Sequence, residues 1–446
     1  MTISRKIAII GTARAGKTVF LTSLINHLEE HHKTDFVVGK EEAISISDFK
    51  RQKVSKSIGA KFNYGACRDA LVNSGEWPKK TRDTSHFICD FKRSDWKYHR
   101  NELHFFDFPG ERLSDVAIAQ YPDYADWADH MLEYISSDTI YRQLAEDYLE
   151  LQIKGAYAEL HDIEVLALYR QVLAKFAVNY KPMITPSTFM LDQEGNTPIS
   201  TSVEDFYKEA SERLLGLVSR KGVTHQFAPI AEQSRKRNPS LAKLYSKAYK
   251  EYRSSIVMPV FKDLKSSNRL IILIDIPSLL NGGVAMYNDN REILEKLFEV
   301  LQPELWYWRI FTSAVKIDRI AFVATKSDAI YPAEVKDGRL MGLLQQMTER
   351  FAYSLDEVEV EWFTCSAVVS AKMAEGEYKM RGPLISSCTP DVEQVFEVSS
   401  LPEQWPRNWM PSDFQFPSVL PKVPANKGIA PEQFGLDDVF TFITTD

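Results

Sequence analysis

Closely spaced cysteines are missing from this sequence. Cys67, Cys89, Cys365 and Cys388 lie far apart and form no C-x-x-C pair. That spacing indicates neither a zinc site nor a disulfide framework, and reduced thiols are expected. Long apolar runs are missing too. The longest aliphatic run, Leu270–Ile274, stops at Asp275, far short of the ~20 apolar residues that a membrane span needs. Near the start, Ile7–Ile10 is too short for a secretory signal. Nor is there a basic excess: 54 Lys and Arg stand against 61 Asp and Glu, a formal charge of −7. Wholesale nucleic-acid binding is therefore not expected. What remains is ordinary globular composition. The 446 residues, 44% hydrophobic and 26% charged, suit two or three domains, or one domain carrying a large insertion. A cytoplasmic protein is expected.

Along the chain the apolar pattern changes period. Ile7–Ile10 is a continuous β-branched run, as in a strand buried on both faces of a parallel sheet. Thr18–Glu30 reads as a helix, with Val19, Phe20, Leu24 and Leu28 on one face. The polar stretch Lys33–Ser57 has no clear period. Ala60–Val72 reads as a helix broken at Asn73-Ser74-Gly75. Thr84–Phe91 and Glu102–Phe106 read as an antiparallel hairpin. From Leu113 to about Ser266 long helical patterns dominate. Buried strands then return at Arg269–Ile276 and Ile317–Ala324, with a further strand at Val358–Thr364, alternating with helices at Arg291–Leu301 and Leu340–Tyr353. Such alternation implies parallel βαβ units. The proline- and tryptophan-rich tail from about Pro383 is expected to pack irregularly and to end in a short element near Leu436–Ile443. The expected fold class is thus α/β, with residues 1–112 and 267–446 in one domain and 113–266 as an α-helical insertion.

The strongest chemical signal is Gly11-Thr12-Ala13-Arg14-Ala15-Gly16-Lys17-Thr18, a complete G-x-x-x-x-G-K-[ST] between a buried strand and a helix. The glycines let successive backbone N–H groups face an anion, and the helix N-terminus adds positive potential. Lys17 would reach the β- and γ-phosphates, and the Thr18 hydroxyl would bind Mg²⁺. A P-loop protein also needs an acid at the end of a neighbouring strand. Two compete: Asp107 in Asp107-Phe108-Pro109-Gly110, and Asp275. The D-x-x-G spacing favours Asp107, because Gly110 then offers an amide to a γ-phosphate. Asp275 would line the site from the next strand or simply cap that strand.

Strand Ile317–Ala324 ends in Thr325-Lys326-Ser327-Asp328. This fits [NT]-K-x-D, in which the carboxylate accepts two hydrogen bonds from guanine N1 and its exocyclic amine, and the lysine stem lies on the base. Adenine lacks that donor pair. Strand Val358–Thr364 ends in Cys365-Ser366-Ala367, which resembles the last nucleotide-binding element of GTPases, whose backbone amide bonds guanine O6. Ser370-Ala371-Lys372 repeats the word nearby, but Ser366-Ala367 ends the strand directly.

The order Gly11–Thr18, Asp107–Gly110, Thr325–Asp328, Ser366–Ala367 resembles Ras-like P-loop GTPases, split by the helical insertion. The longer words Gly11–Thr22, Trp77-Pro78-Lys79-Lys80-Thr81 and Phe106–Glu111 resemble the bacterial YcjX-type stress-protein family over nearly the whole chain. The resemblance implies a P-loop G domain that binds GTP or GDP with Mg²⁺, a slow GTPase switch of the envelope-stress neighbourhood. The implied nucleotide contacts are Gly11, Ala13, Arg14, Ala15, Gly16, Lys17, Thr18, Val19, Gly110, Thr325, Lys326, Asp328, Ser366 and Ala367. Implied metal contacts are Thr18, Thr81 and Asp107, with Thr84 as the rival switch threonine. For hydrolysis the candidates are Lys17, Arg14, Glu111 and Thr81, with Arg82 beside Thr81 as a second possible cation. Glu111 departs from the Ras pattern, standing where the water-orienting glutamine is usual. Rival readings are an ATP-using P-loop enzyme and a nucleotide-stabilised scaffold. Between Ala231 and Ser255 lies a basic stretch, with Lys243, Lys247 and Lys250 on one helix face beside Tyr245, Tyr249 and Tyr252. It is either internally paired or a contact for a protein partner or the anionic inner-membrane surface.

Overall fold

The computed structural model describes residues 2–12, 14–39, 44–55, 58–79, 84–96, 100–179, 217–218, 224–306, 317–352, 358–385, 392–424 and 429–445. The chain divides into two units. One comprises Met1–Gly110, Asp263–Val284 and Pro303–Asp446, the other Glu111–Lys262 and Ala285–Gln302.

The first unit is built on strand β1 (Thr2–Gly11). Ile7, Ala8, Ile9 and Ile10 are fully buried, which contributes roughly 1.5–3 kcal/mol for each large aliphatic side chain. Beside β1 on one side lies β5 (Arg100–Asp107). On the other lie β8 (Arg269–Ile274), β9 (Arg319–Ala324) and β10 (Glu359–Thr364), all parallel. Antiparallel β4 (Ser85–Arg93) and β2 (Ile46–Arg51) extend the β5 edge, and the short β3 (Ala60–Lys61) joins β4. The sheet order is β10-β9-β8-β1-β5-β4-β2. Both faces carry helices. On one, α1 (Lys17–Glu29) and the C-terminal helix Leu436–Thr444 share a core with Ile7, Ile9, Ile271 and Val323. On the other, the Trp362 ring stacks on Phe322 and its indole N–H donates to Thr348 of helix Arg339–Ala352. This is the mostly parallel α/β sheet of P-loop proteins.

Two local expectations are corrected. Ala60–Val72 is not one helix: Ala60–Lys61 pairs with β4, and the helix starts at Tyr64, running on to Ser74 and ending at Gly75 in a left-handed turn (φ 67°). The tail from about Pro383 is also less irregular than composition suggests, since Glu393–Glu397 within it is a strand that pairs with Lys379–Pro383 just before it. β11 (Lys372–Met373), β12 (Lys379–Pro383) and β13 (Glu393–Glu397) form a small antiparallel sheet. Their short, mixed burial patterns give no period to detect.

Among its described residues the second unit is helical apart from a short ladder of β6 (Leu217–Val218) and β7 (Thr224–His225). Its core is aromatic: Tyr245, Tyr249 and Tyr252 of helix Pro239–Tyr252 are fully buried and meet Tyr124, Trp127 and Phe227. Ala285–Gln302 belongs to this unit. Tyr134 and Tyr141 both donate to the buried Asp289 carboxylate, at 2.5 and 2.7 Å, and Gln120 binds Glu299. Among the described residues no helix is long and apolar enough to cross a membrane.

The C-terminal helix is held at its carbonyl end. Arg269 donates to Ile443 O at 2.6 Å and Thr445 O at 2.7 Å, and Arg319 to Phe442 O at 2.6 Å. Cations there complement the helix dipole. Burial, with Arg5 nearby, pulls the Arg269 guanidinium down to about 10. At the other end of α1, His27 Nε2–H donates to Pro431 O (2.9 Å) while its ring stacks on Phe36. Burial lowers its pKa from 6.5 to about 4. The unfolded chain therefore binds this proton more readily, so stability is full above pH 6.5 and falls as pH drops toward 4. His27→Gln should remove about 2 kcal/mol of the stability difference between pH 6.5 and pH 5. Urea denaturation of both forms at the two pH values measures it; an identical pH dependence would refute the assignment.

Candidate functional site

The end of β1 is shaped by close backbone approach. A Cβ on Gly11 would stand 2.7 Å from Leu273 O on β8, so no larger residue fits. The chain then turns. Arg14 takes positive φ (68°) with its side chain exposed, and Gly16, also left-handed (89°), leads into α1. The Ala15 amide closes onto Thr12 O at 3.2 Å. Lys17 folds back over the loop, its ammonium donating to Gly11 O (2.7 Å) and Thr12 O (2.8 Å). The result is a ring of backbone closed by a buried cation at a helix start, the chemistry of an anion cradle. Val19, one turn into α1, packs with Leu71, Val72 and Val368.

Register brings the acid alongside. Ile9 of β1 pairs with Asp107 of β5, and Thr18 Oγ1 donates to Asp107 Oδ2 at 3.1 Å. Asp107 is fully buried. One hydroxyl and one carboxylate side by side are hard oxygen donors suited to Mg²⁺. Among the described residues no three His, Cys, Asp or Glu side chains gather as a metal cage. A cation here would complete its shell with water and ligand oxygens, as Mg²⁺ ordinarily does. Gly110 is buried and opens the helical turn Gly110–Asp115.

At the ends of β9 and β10 the segments Thr325–Asp328 and Ser366–Ala367 converge. Thr325 N–H donates to Ile274 O at 2.9 Å. Lys326 is left-handed (φ 58°) and exposed, and its ammonium meets Asp275 Oδ2 at 2.5 Å. Ser366 Oγ donates to Asp328 Oδ1 and accepts from the Asp328 amide, both at 2.8 Å. The amides of Ser370 and Ala371 reach Asp328 Oδ2 at 2.8 and 3.2 Å. Both Ser-Ala words thus meet one carboxylate, the first by its hydroxyl and the second by its backbone. Burial pushes the Asp328 carboxyl up, and those hydrogen bonds partly oppose it. Ser23 of α1 donates to Ala367 O, tying the phosphate-loop helix to this turn.

Four contributors lie outside the motif residues assigned from the sequence. The Ser370 and Ala371 amides are main-chain donors that any residue would supply. Phe434 exchanges two 2.9 Å backbone bonds with Ser366, and Gly435 (φ 69°) lies where a Cβ would stand 2.3 Å from Thr364 O. Only the glycine hints at close approach. Ala13, Thr81 and Arg82 lie outside the described residues, as does the side chain of Glu111. Thr84, the rival threonine, precedes β4 with its hydroxyl buried. Of the basic stretch, Arg235 forms a two-pronged pair with Asp129, Lys236 pairs with Glu232 and Lys250 with Asp123. Arg253 donates to the carbonyls of Ile118 and Ala119. Much of that charge is consumed inside the second unit.

The protein resembles known chains over most of its length. It is 23% identical over 470 aligned positions to a protein of Shewanella oneidensis named Ras-like GTPase YcjX, covering 97% of this chain and 91% of that one. An Escherichia coli K12 protein of the same name is 23% identical over 455 positions, covering 94% of this chain and 90% of its own. The profile described as YcjX-like family, DUF463, matches residues 5–207 and 221–446. Those spans hold the Gly11–Thr18 loop, the D-x-x-G turn and the turns at Thr325–Asp328 and Ser366–Ala367, and the chain belongs to the YcjX-like family.

Proposed function

We propose that the protein is a Mg²⁺-dependent GTP-binding switch that hydrolyses GTP slowly to GDP and phosphate in a bacterial stress response. One observation carries the reading: a lysine-closed loop at β1, a Thr18–Asp107 oxygen pair at β5 and the Asp328–Ser366 turn at β9 and β10 stand on one edge of a parallel sheet. The names of the relatives support it. In this reading the loop amides from Gly11 to Val19 hold the phosphates, Lys17 neutralises them, and Thr18 with Asp107 and Thr81 holds the cation. Bound Mg²⁺ would supply charge neutralisation at the β- and γ-phosphates. Gly110 offers its amide to the γ-phosphate.

The base site imposes a count. A carboxylate has about four lone-pair positions, and Asp328 already receives Ser366 Oγ and two amides. Guanine brings two donors, so at least one present donor gives way. The Ser370 and Ala371 amides converge on one oxygen, and they are the ones to yield. Ser366 stays, because its backbone is fixed to Phe434, and Ala367 offers its amide to O6. Slow turnover follows from Glu111: a carboxylate beside a γ-phosphate is repelled and does not orient water as an amide does. Arg14 supplies the cation that such sites otherwise borrow from a partner. A partner protein or anionic membrane surface would meet the helical unit through its remaining basic side chains. The nucleotide, not nucleic acid, is the polyanion this site takes.

Lys17→Ala should weaken GTP binding at least about thirtyfold, since truncating one member of a buried charge pair costs about 2–5 kcal/mol. Near-native affinity in the folded variant would refute the cradle. Multiple-turnover phosphate release from the isolated protein should run at ~10⁻⁴ to 10⁻² s⁻¹; many turnovers per second would contradict the role given to Glu111.

Asp328→Asn should trade guanine for xanthine, whose second carbonyl matches the new amide. The pH dependence has a definite sign. Only the ionised carboxylate accepts both guanine donors, and burial raises its pKa. The GDP-to-ADP affinity ratio should therefore be full at neutral pH and fall on acidification, with a midpoint above the ~3.9 of a free aspartate. Phosphate titration is common to both nucleotides and cancels in the ratio. A ratio as pH-dependent in Asp328→Asn as in the parent would show that another group reads the base.

A further inference from the structure

Strand β8 runs between the phosphate-loop strand and the base-reading strand, and its end holds a carboxylate that neither motif contains. Gly11 pairs with Leu273, and Ile274 pairs with Ala324. Asp275 is therefore the next residue out, between the two loops. It is 6% exposed. Ser278 N–H donates to its Oδ1 at 3.0 Å and Ser278 Oγ–H to its Oδ2 at 2.6 Å. Lys326 adds a third donor at 2.5 Å on that same Oδ2.

An N-terminal cap for the helix that follows accounts for the two Ser278 bonds. It does not account for the lysine, which comes from another strand and carries a left-handed backbone. A lysine head left in water keeps its side-chain rotamer freedom, and this is lost when the stem is fixed against a ligand. Here the head is already fixed. Its partner is itself immobile, buried and held on both oxygens.

We propose that Asp275 is a positioning residue for base recognition: anchored by Ser278, it pins the Lys326 ammonium so that the lysine's methylene stem is presented as one wall of the base site. The proposal deepens the guanine-nucleotide reading and rests on it. It assigns Lys326 an apolar contact and not a charge contact, because the ammonium is neutralised by Asp275. It also makes pairing of the two residues the quantity to measure.

A double-mutant cycle on the full chain tests this, with GDP and inorganic pyrophosphate as probes. Asp275→Asn keeps the shape and removes the charge; Lys326→Met keeps the stem and removes the charge. Asp275→Asn should lower GDP affinity about tenfold in the parent, in line with coupling energies of paired side chains, and should not lower it in the Lys326→Met background. Pyrophosphate, which touches only the phosphate loop, should bind all forms alike. If Asp275→Asn proves poorly folded, Ser278→Ala serves in the same cycle: it keeps the carboxylate but loosens it, and its smaller loss should also vanish in Lys326→Met. Equal losses in both backgrounds, or a parallel loss of pyrophosphate binding, would reduce Asp275 to a structural cap and overturn the proposal. A parent chain that binds pyrophosphate but shows no preference for GDP over ADP would instead overturn the guanine reading beneath it.

Discussion

In a parallel sheet every strand releases its chain at the same edge, and this constraint governs the rest of the molecule. β5, β1, β8, β9 and β10 are parallel neighbours. Their exits therefore place Asp107, Gly11, Asp275, Thr325 and Cys365 in a row, although up to 354 residue numbers separate them (Gly11 to Cys365). Strand spacing of about 4.8 Å sets the pitch of that row. Side chains from adjacent exits are then within hydrogen-bonding reach, which is what the Thr18–Asp107 and Lys326–Asp275 contacts exploit. A register slip in one strand would move its exit by a residue and turn the exiting side chain to the opposite face. The continuous burial of β8 and β9 holds the register on both faces at once.

The last helix completes what the strands begin. Its docking depends on Arg269 and Arg319, which start β8 and β9 and grip carbonyls near its C-terminus. Its N-terminal approach, Phe434-Gly435, pairs with Ser366 at the opposite end of the sheet. One short helix therefore spans the sheet from the arginine end to the base-reading end. Ser366 is consequently held by its backbone and free to spend its hydroxyl on Asp328, where a looser turn would let that hydroxyl rotate to water.

Legibility in the sequence follows the range of each interaction. The phosphate loop was readable because its chemistry is local: glycine, lysine and threonine lie within eight positions, and flanking periods mark strand and helix. The buried strands were readable because burial on both faces leaves continuous aliphatic runs. β2 was not, because Ile46–Arg51 alternates irregularly between buried and exposed. β3 was hidden by the helix that begins three residues later. Asp107 was favoured over Asp275 from spacing, yet spacing could not give Asp275 its partner, since that pairing arises only where two strands end together. The word Ser370-Ala371 is visible as a repeat of Ser366-Ala367, but that its amides reach Asp328 is not, since main-chain donors leave no mark in composition.

Charge along this edge alternates with purpose. Lys17 faces backbone carbonyls, Asp107 a hydroxyl, Asp275 a lysine and Asp328 a hydroxyl with two amides. Each buried ion is compensated by the chain itself, as burial demands, because an uncompensated charge costs several kcal/mol. The compensations differ in kind. Carbonyls, a hydroxyl and paired amides are neutral dipoles, and a charged ligand can displace or supplement them at modest cost. The Asp275–Lys326 contact is ion to ion, and breaking it would leave Asp275 buried without its counter-charge. Three of these sites can thus exchange partners and one resists exchange. In the proposed reading the exchangeable groups would grip phosphate, cation and base, and the fixed pair would serve as the wall against which the base is placed.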